Sequence, residues 1–324
     1  MLRKSIPILF AFLHGAVLLS CSQNNVKKAS AKEDITLMIS VLKTNLTQQY
    51  FDKNKAADLV QKLTDMEHQK MFDGLSDSVA AQQITDMLRK ETHDKHFNVI
   101  AYPKNPVPQK NKAQPVLSPA GISKYLILKN NIGYIKWDLC IANEDAFKDL
   151  RKVLDSLSTC EKLIFDISEN PGGDGASSAF INQFLYREKD YQTLLKKKCT
   201  GEKDWKQSEV IFNYNNGPTF FDKPIFIIAS DKTFSAAEYF AFTAKEMKRA
   251  TILGKTTAGA GNPGSSVSFA LPNSDTFFWM FIPNCQIVTR DGHSIEGIGV
   301  KPDVLLKSKD WLQETVEYIA KQDK

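Results

Sequence analysis

Apolar and polar positions follow different rhythms in different parts of this chain. Between residues 33 and 92 the apolar positions recur at helical spacing: Ile35, Met38, Ile39 and Leu42, then Ala56, Leu59, Val60 and Leu63, then Ile84, Met87 and Leu88. That interval holds no proline and a single glycine, Gly74, within the turn-forming run Asp73-Gly74-Leu75-Ser76-Asp77. The pattern predicts three helices packed as a small bundle. Residues 102 to 119 carry prolines at 103, 106, 108, 115 and 119, which predicts a linker or an irregular surface arm. Past Tyr125 short apolar runs alternate with helical patterns. Strands are expected over 132–137, 162–167, 224–229 and 250–253, and helices over 144–157, 176–186 and from Ser235 onward. A β-ribbon over 267–271 and 277–283, a short strand over 297–304 and a closing helix over 310–321 complete the pattern. Such alternation predicts an α/β domain with its chemistry on the loops that follow strands.

The stretch around Ser235 stands out. Ile225-Phe226-Ile227-Ile228-Ala229 is an unbroken apolar run, as expected of a strand buried on both faces. Ser230-Asp231-Lys232-Thr233 turns the chain, and Ala237, Phe240, Ala241, Ala244 and Met247 then form one helical face. Ser235 therefore sits where a buried strand becomes a buried helix. That geometry exposes a nucleophilic hydroxyl and points the next backbone N–H at the same place. Ser235-Ala236-Ala237-Glu238 also matches a capping box, so the local sequence leaves both roles open.

Composition changes this picture only at the N-terminus. The 324 residues suffice for about two domains, and 42% hydrophobic with 24% charged content is ordinary for a globular protein. A formal charge of +5 without a basic block gives no reason to expect nucleic acid as a partner. Residues 1–20 read as a secretory signal: Arg3 and Lys4 precede an apolar stretch from Ile8 to Leu19 that is too short for a stable membrane span. Leu18-Leu19-Ser20-Cys21 resembles a bacterial lipobox, which implies a lipidated Cys21 followed by a polar tether to residue 32. The expected location is the cell envelope, anchored by lipid to the periplasmic or surface face of a bacterial membrane. Cys140, Cys160, Cys199 and Cys285 show neither CxxC spacing nor paired histidines, so no zinc site and no cofactor are expected. In an oxidising compartment a disulfide among them is open, its pairing unreadable from spacing. The expected organisation is a signal peptide over 1–20, a tether over 21–32, a helical domain over 33–98, a proline-rich linker over 99–124, a core over 125–310 and a closing helix over 311–324.

Three loops carry candidate chemistry. Asn170-Pro171-Gly172-Gly173-Asp174-Gly175 follows a buried strand, and its adjacent glycines let backbone N–H groups face a ligand. It suits an oxyanion hole, while the GK[ST] ending of a phosphate loop is absent. Thr257-Ala258-Gly259-Ala260-Gly261 forms a second glycine-rich loop, and Glu296 lies in a third, between Asp291-Gly292 and Gly297.

The stretches FDISENPGG, SDKTFSAAEYF, GKTTAGAG and EGIGVKPDV resemble, in that order, those of the S41 serine peptidases, and the likeness covers roughly residues 35 to 305. The helical segment ending in HDKHFNV is similar to the leading domain of the retinoid-binding-protein-like branch. The resemblance implies a crotonase-like (Clp protease-like) core with an N-terminal three-helix domain, and peptides or proteins as substrates. Processing proteases of the family place a catalytic lysine where this chain has Ala260, and Lys255 does not match that position. The tricorn-like and retinoid-binding-protein-like members instead use serine, histidine and glutamate, which fall here on Ser235, His96 and Glu296. His96 is favoured by the family's DxH pattern, with His293 as the other candidate. Imidazole can take the serine proton and return it, and a carboxylate fixes its tautomer. The oxyanion donors would be the N–H of Ala236 and one from Gly172 or Gly173. A different reading, on the same fold, is a non-catalytic carrier of a hydrophobic, retinoid- or fatty-acid-like ligand lined by Phe277-Phe278-Trp279-Met280-Phe281. Oligomeric state and cleavage preference do not follow from the sequence.

Overall fold

The computed structural model describes residues 30–105, 116–208, 212 and 217–322. The signal segment, Cys21 and all but the end of the tether lie outside them. Among the described residues no helix is long and apolar enough to cross a membrane.

Three helices open the described chain: α1 (Ala31–Gln49), α2 (Lys53–His68) and α3 (Asp77–Thr92). Each begins at a side-chain cap, Ser30, Asp52 or Ser76, that accepts from a first-turn N–H. The chain then forms β1 (Asn98–Pro103), β2 (Ile122–Leu128), β3 (Ile132–Trp137), α4 (Glu144–Ser156), β4 (Lys162–Asp166) and α5 (Ala176–Leu185). Next come β5 (Leu195–Cys199), β6 (Lys206–Gln207), β7 (Ile225–Ala229), α6 (Ala236–Glu246) and β8 (Ala250–Gly254). The last elements are β9 (Gly264–Phe269), β10 (Thr276–Pro283), β11 (Cys285–Thr289), β12 (Val304–Leu305) and α7 (Trp311–Gln322).

The organising layer is a six-stranded sheet in the order β12-β8-β7-β4-β3-β2, parallel throughout except for the β2–β3 pair. Successive residues of its central strands point to opposite faces. Leu163, Phe165, Ile225, Ile227 and Ile252 pack with residues of α4, α5 and α6, while Ile164, Phe226, Ile228 and Leu253 pack with Ile319 of α7. Both faces are covered, which is why the 225–229 run contains no polar residue. Because β4, β7 and β8 are parallel neighbours, the loops at their C-terminal ends converge on one edge of the sheet.

Long-range pairing revises the expected domain boundaries. Part of the span 99–124, expected as a linker, is regular structure: β1 pairs with β10, Asn98 opposite Phe281 and Pro103 opposite Thr276. Of its described prolines, Pro103 ends β1 and Pro119 lies outside strands, where a missing N–H costs no ladder bond. The core's first strand, β2, likewise starts at Ile122, ahead of Tyr125. The sheet β1-β10-β9 closes the apolar face of the helical bundle. Phe278, Met280 and Ile282 pack with residues such as Met38, Leu42 and Phe97. The helical domain is thus completed by a ribbon sent from the core. The aromatic run of that ribbon alternates: Phe278 and Met280 are fully buried, whereas Phe277 is exposed and Trp279 and Phe281 are partly buried. The strand expected over 297–304 shrinks to Val304–Leu305, since Gly297 and Gly299 take positive φ and turn the chain.

A third sheet, β11-β5-β6, was not legible as strands. A disulfide between Cys199 and Cys285 joins its first two members, and Cys140 and Cys160 are buried free thiols.

Candidate active site

Ser235 lies between β7 and α6 with φ 53° and ψ −122°, a backbone conformation that a residue bearing a Cβ adopts only when its surroundings impose it. The imposing contacts are identifiable. Phe234 N–H donates to the Asn170 carbonyl (3.0 Å), and Ser235 N–H donates to Glu238 Oε2 (3.0 Å). The Glu238 carboxylate also accepts from Thr257 Oγ1 (2.5 Å) and from the N–H groups of Gly259 (2.6 Å) and Ala260 (2.9 Å). Glu238 is fully buried. Burial pushes its carboxyl up while these four donors pull it down. The carboxylate arm of the expected capping box is therefore made, and it also ties the strand-to-helix turn at Ser235 to the glycine-rich loop after β8.

The Ser235 hydroxyl points elsewhere. Its Oγ lies 2.9 Å from His96 Nε2, across 139 residues of sequence. His96 arrives on the short segment between α3 and β1 and is buried. Its ring is held edge-on by Phe234 (centroids 4.8 Å) and stacked by Phe281 (5.6 Å), so the β-ribbon also positions the imidazole. His96 N–H donates to Asp94 Oδ1 (2.9 Å), and the same oxygen lies 3.6 Å from His96 Nδ1. Asn262 Nδ2 donates to Asp94 Oδ2 (2.9 Å), and Lys95 Nζ donates to the Ala258 carbonyl (2.6 Å). Both contacts fasten the histidine-bearing segment to the glycine-rich loop.

Glu296 completes the cluster. Its Oε2 accepts from the N–H groups of Gly261 (2.6 Å) and Asn262 (3.0 Å). The two loops touch so closely that a Cβ on Gly261 would meet Glu296 N at 2.9 Å, which explains why glycine stands there. Glu296 Oε1 and His96 Nδ1 are both buried without a hydrogen-bond partner among the described residues. Asp94, His96 and Glu296 each offer an atom within 4.8 Å of the others. Burial, with the Asp94 charge next in size, pushes the Glu296 carboxyl up to about 8 against the two backbone donors.

On the other side of Ser235 lies the loop after β4. Gly172 has φ 95°, and a Cβ there would come within 2.8 Å of Ser235 Cβ and 3.0 Å of Ala236 N. Its own N–H is taken by Asn170 Oδ1 (2.8 Å). The neighbouring bridge to Cys140 uses the Gly172 carbonyl and the Asp174 N–H, which turns the Gly173 N–H away from that strand. Gly173 and Ala236 line a cleft of about 260 Å³ together with His96 and Ser235. Of the two glycines left open by the sequence, Gly173 is the one that faces the cleft.

The structure thus brings Ser235, His96, Glu296, Gly172, Gly173 and Ala236 together and leaves His293 and Lys255 with other partners. His293 is exposed and lies 3.4 Å from Glu246. Lys255 sits over the Trp311 ring. Ala260, at the lysine position of the processing proteases, is fully buried. Asp94, Asn262 and Glu238 were not expected in the site. The DxH spacing held a signal for Asp94, and the capping box held one for Glu238.

A strained serine at a strand-to-helix turn, hydrogen-bonded to a buried histidine beside two backbone N–H groups, is the arrangement of a serine hydrolase. Residues 131–306 match the model of Peptidase family S41, and the chain belongs to that family of serine peptidases. Over 196 residues it is 28% identical to the carboxy-terminal-processing protease of Bartonella bacilliformis, covering 57% of this chain and 40% of that protein. The chain thus spans less than half the length of that relative. Among solved structures it is similar in fold to a lipoprotein from Streptococcus agalactiae, with a TM-score of 0.57 at 16% identity, covering 92% of this chain and 100% of the other. It is also similar to the tricorn protease, with a TM-score of 0.58 at 12% identity over 91% of this chain and 37% of that one. These likenesses support the α/β fold with its S41 core.

Proposed function

We propose that this protein is a lipid-anchored serine endopeptidase working through Ser235, His96 and Glu296. The observation that carries the reading is the 2.9 Å contact between Ser235 Oγ and His96 Nε2 at a strained strand-to-helix turn. In this mechanism His96 Nε2 takes the hydroxyl proton as Oγ attacks the scissile carbonyl carbon. The developing oxyanion is met by the N–H groups of Ala236 and Gly173, each contributing on the order of 3 kcal/mol to the transition state. Nε2 then returns the proton to the leaving amine. Glu296 stabilises the imidazolium, and Asp94, which shares the ring's Nδ1 side, fixes its orientation. No residue in this scheme calls for a metal or a cofactor.

The test is reaction of the protein with a fluorophosphonate probe and hydrolysis of a peptide library. Ser235→Ala and His96→Ala should each lower kcat by roughly 10⁴-fold, since members of such a set act as a unit. Retained hydrolysis in both variants would overturn the mechanism. Against the ligand-carrier reading stands the packing of Phe278, Met280 and Ile282 into the helical core. The anchor rests on Leu18-Leu19-Ser20-Cys21. Cys21→Ala should move the protein from the membrane to the soluble fraction of fractionated cells. A wild-type protein already found in the soluble fraction would remove the anchor.

A further inference from the structure

The cleft beside Ser235 has a wall formed by β5 and β11, and that wall carries a cation. Leu195 and Lys197, two residues apart on β5, both line the cleft, as does Ile287, which stands opposite Lys197 on β11. The other lysines of this run are on the opposite face of the strand. Lys196 donates to the Arg290 carbonyl and covers the Trp205 ring. Lys197 is half-buried, and its ammonium makes no hydrogen bond or ion pair among the described residues. The carboxylate that feels its charge, Glu202, is already bonded to Lys206. Across the strand pair Lys197 stands directly opposite Lys206, a like-charge juxtaposition that costs stability. A half-buried cation held at a cost, facing a cleft, marks a place where an anion is wanted.

The rest of the lining agrees. The Ser178 hydroxyl lines the same cleft, is buried, and has no hydrogen-bond partner among the described residues. Leu195 and Ile287 supply apolar surface for the methylenes of a side chain. The acidic group of the lining, Asp174, is exposed on the glycine loop after β4 and has its Oδ1 engaged by Ala176 N–H.

We infer that Lys197, with Ser178, recognises a side-chain carboxylate of the substrate, so that the preferred substrates are peptides presenting an acidic side chain to this cleft. The inference rests on the peptidase reading and names the substrate class of that site. Its test uses the full-length protein and peptides that differ only as Glu against Gln, each with a free and an amidated C-terminus. Wild type should favour the carboxylate form by about 10-fold or more in kcat/KM, the size of a hydrogen bond to a charged group. Lys197→Met should bring that ratio close to one, and Lys197→Glu should turn it toward peptides carrying lysine. Dependence on the Glu/Gln pair assigns the carboxylate to a side chain, and dependence on amidation alone overturns the inference. A ratio near one in wild type, or one unmoved by Lys197→Met, overturns the inference.

Anisotropy of the same labelled peptides on the Ser235→Ala variant reads Lys197 without hydrolysis. Equal binding of Glu and Gln peptides, free or amidated, sinks the role of Lys197 even in an active enzyme. Failure of a fluorophosphonate to label Ser235 in wild type sinks the peptidase reading instead.

Discussion

Replacing Glu296 by glutamine should flatten the pH dependence of stability. In the unfolded chain a glutamate releases its proton near 4.5, whereas burial and the Asp94 charge hold the Glu296 proton until about pH 8 in the folded state. Between those values the folded state binds more protons than the unfolded one, so stability falls as pH rises. The contribution is complete below 4.5 and is lost as pH passes through about 8. One proton gives a slope of at most about 1.4 kcal/mol per pH unit. Over the window from 4.5 to about 8 that slope sums to at most about 5 kcal/mol, which solvent access and sharing of charge with Asp94 lower to roughly 1–3 kcal/mol. Glutamine keeps a carbonyl oxygen for the Gly261 and Asn262 N–H groups and has nothing to titrate. The assay is urea unfolding at pH 5, 6, 7, 8 and 9, in a Ser235→Ala background that removes self-digestion. An unchanged slope in Ser235→Ala/Glu296→Gln would show that Glu296 does not hold a proton and would refute the electrostatic account of the cluster. The catalytic counterpart has the opposite sign: in the proposed mechanism ionised Glu296 is the form that stabilises the imidazolium, so kcat should rise through about pH 8 as stability falls.

Glu238→Gln should destabilise the fold by about 1–3 kcal/mol, because an amide cannot accept from all four donors around it, and urea midpoints should record the loss. Its kcat should fall as well, since the same carboxylate holds the Ser235 backbone, and unchanged turnover would deny it that role. Lys255→Ala should keep most of the activity, because Lys255 rests on Trp311 and not beside Ser235. Loss of hydrolysis in Lys255→Ala alongside retention in His96→Ala would mean a Ser–Lys pair.

What the sequence determines here is local. The 225–229 run and the helical face after Ser235 specify a strand-turn-helix unit, because apolar periodicity records which side of a segment is buried. The helices expected over 144–157, 176–186 and 310–321 lie at Glu144–Ser156, Ala176–Leu185 and Trp311–Gln322. The adjacent glycines of 172–173 marked a loop whose backbone N–H groups could face a ligand, and motif resemblance selected His96 and Glu296. Periodicity carries no information about which distant segment a strand pairs with. It could not show that β1 joins β10, and so the span around Tyr102 read as linker. It could not show β5 and β11, whose lysines and mixed polarity hide the alternation, nor that Cys199 meets Cys285. Nor could it tell that Glu238 serves the 257–260 loop as well as the helix it caps, or that Asp94 shares a buried space with Glu296. Those relations arise when three parallel strands bring their loops to one edge and the β1–β10 pair delivers His96 to them. Only the tertiary structure decided them, because the contacts lie between segments whose own sequences are each satisfied by several partners.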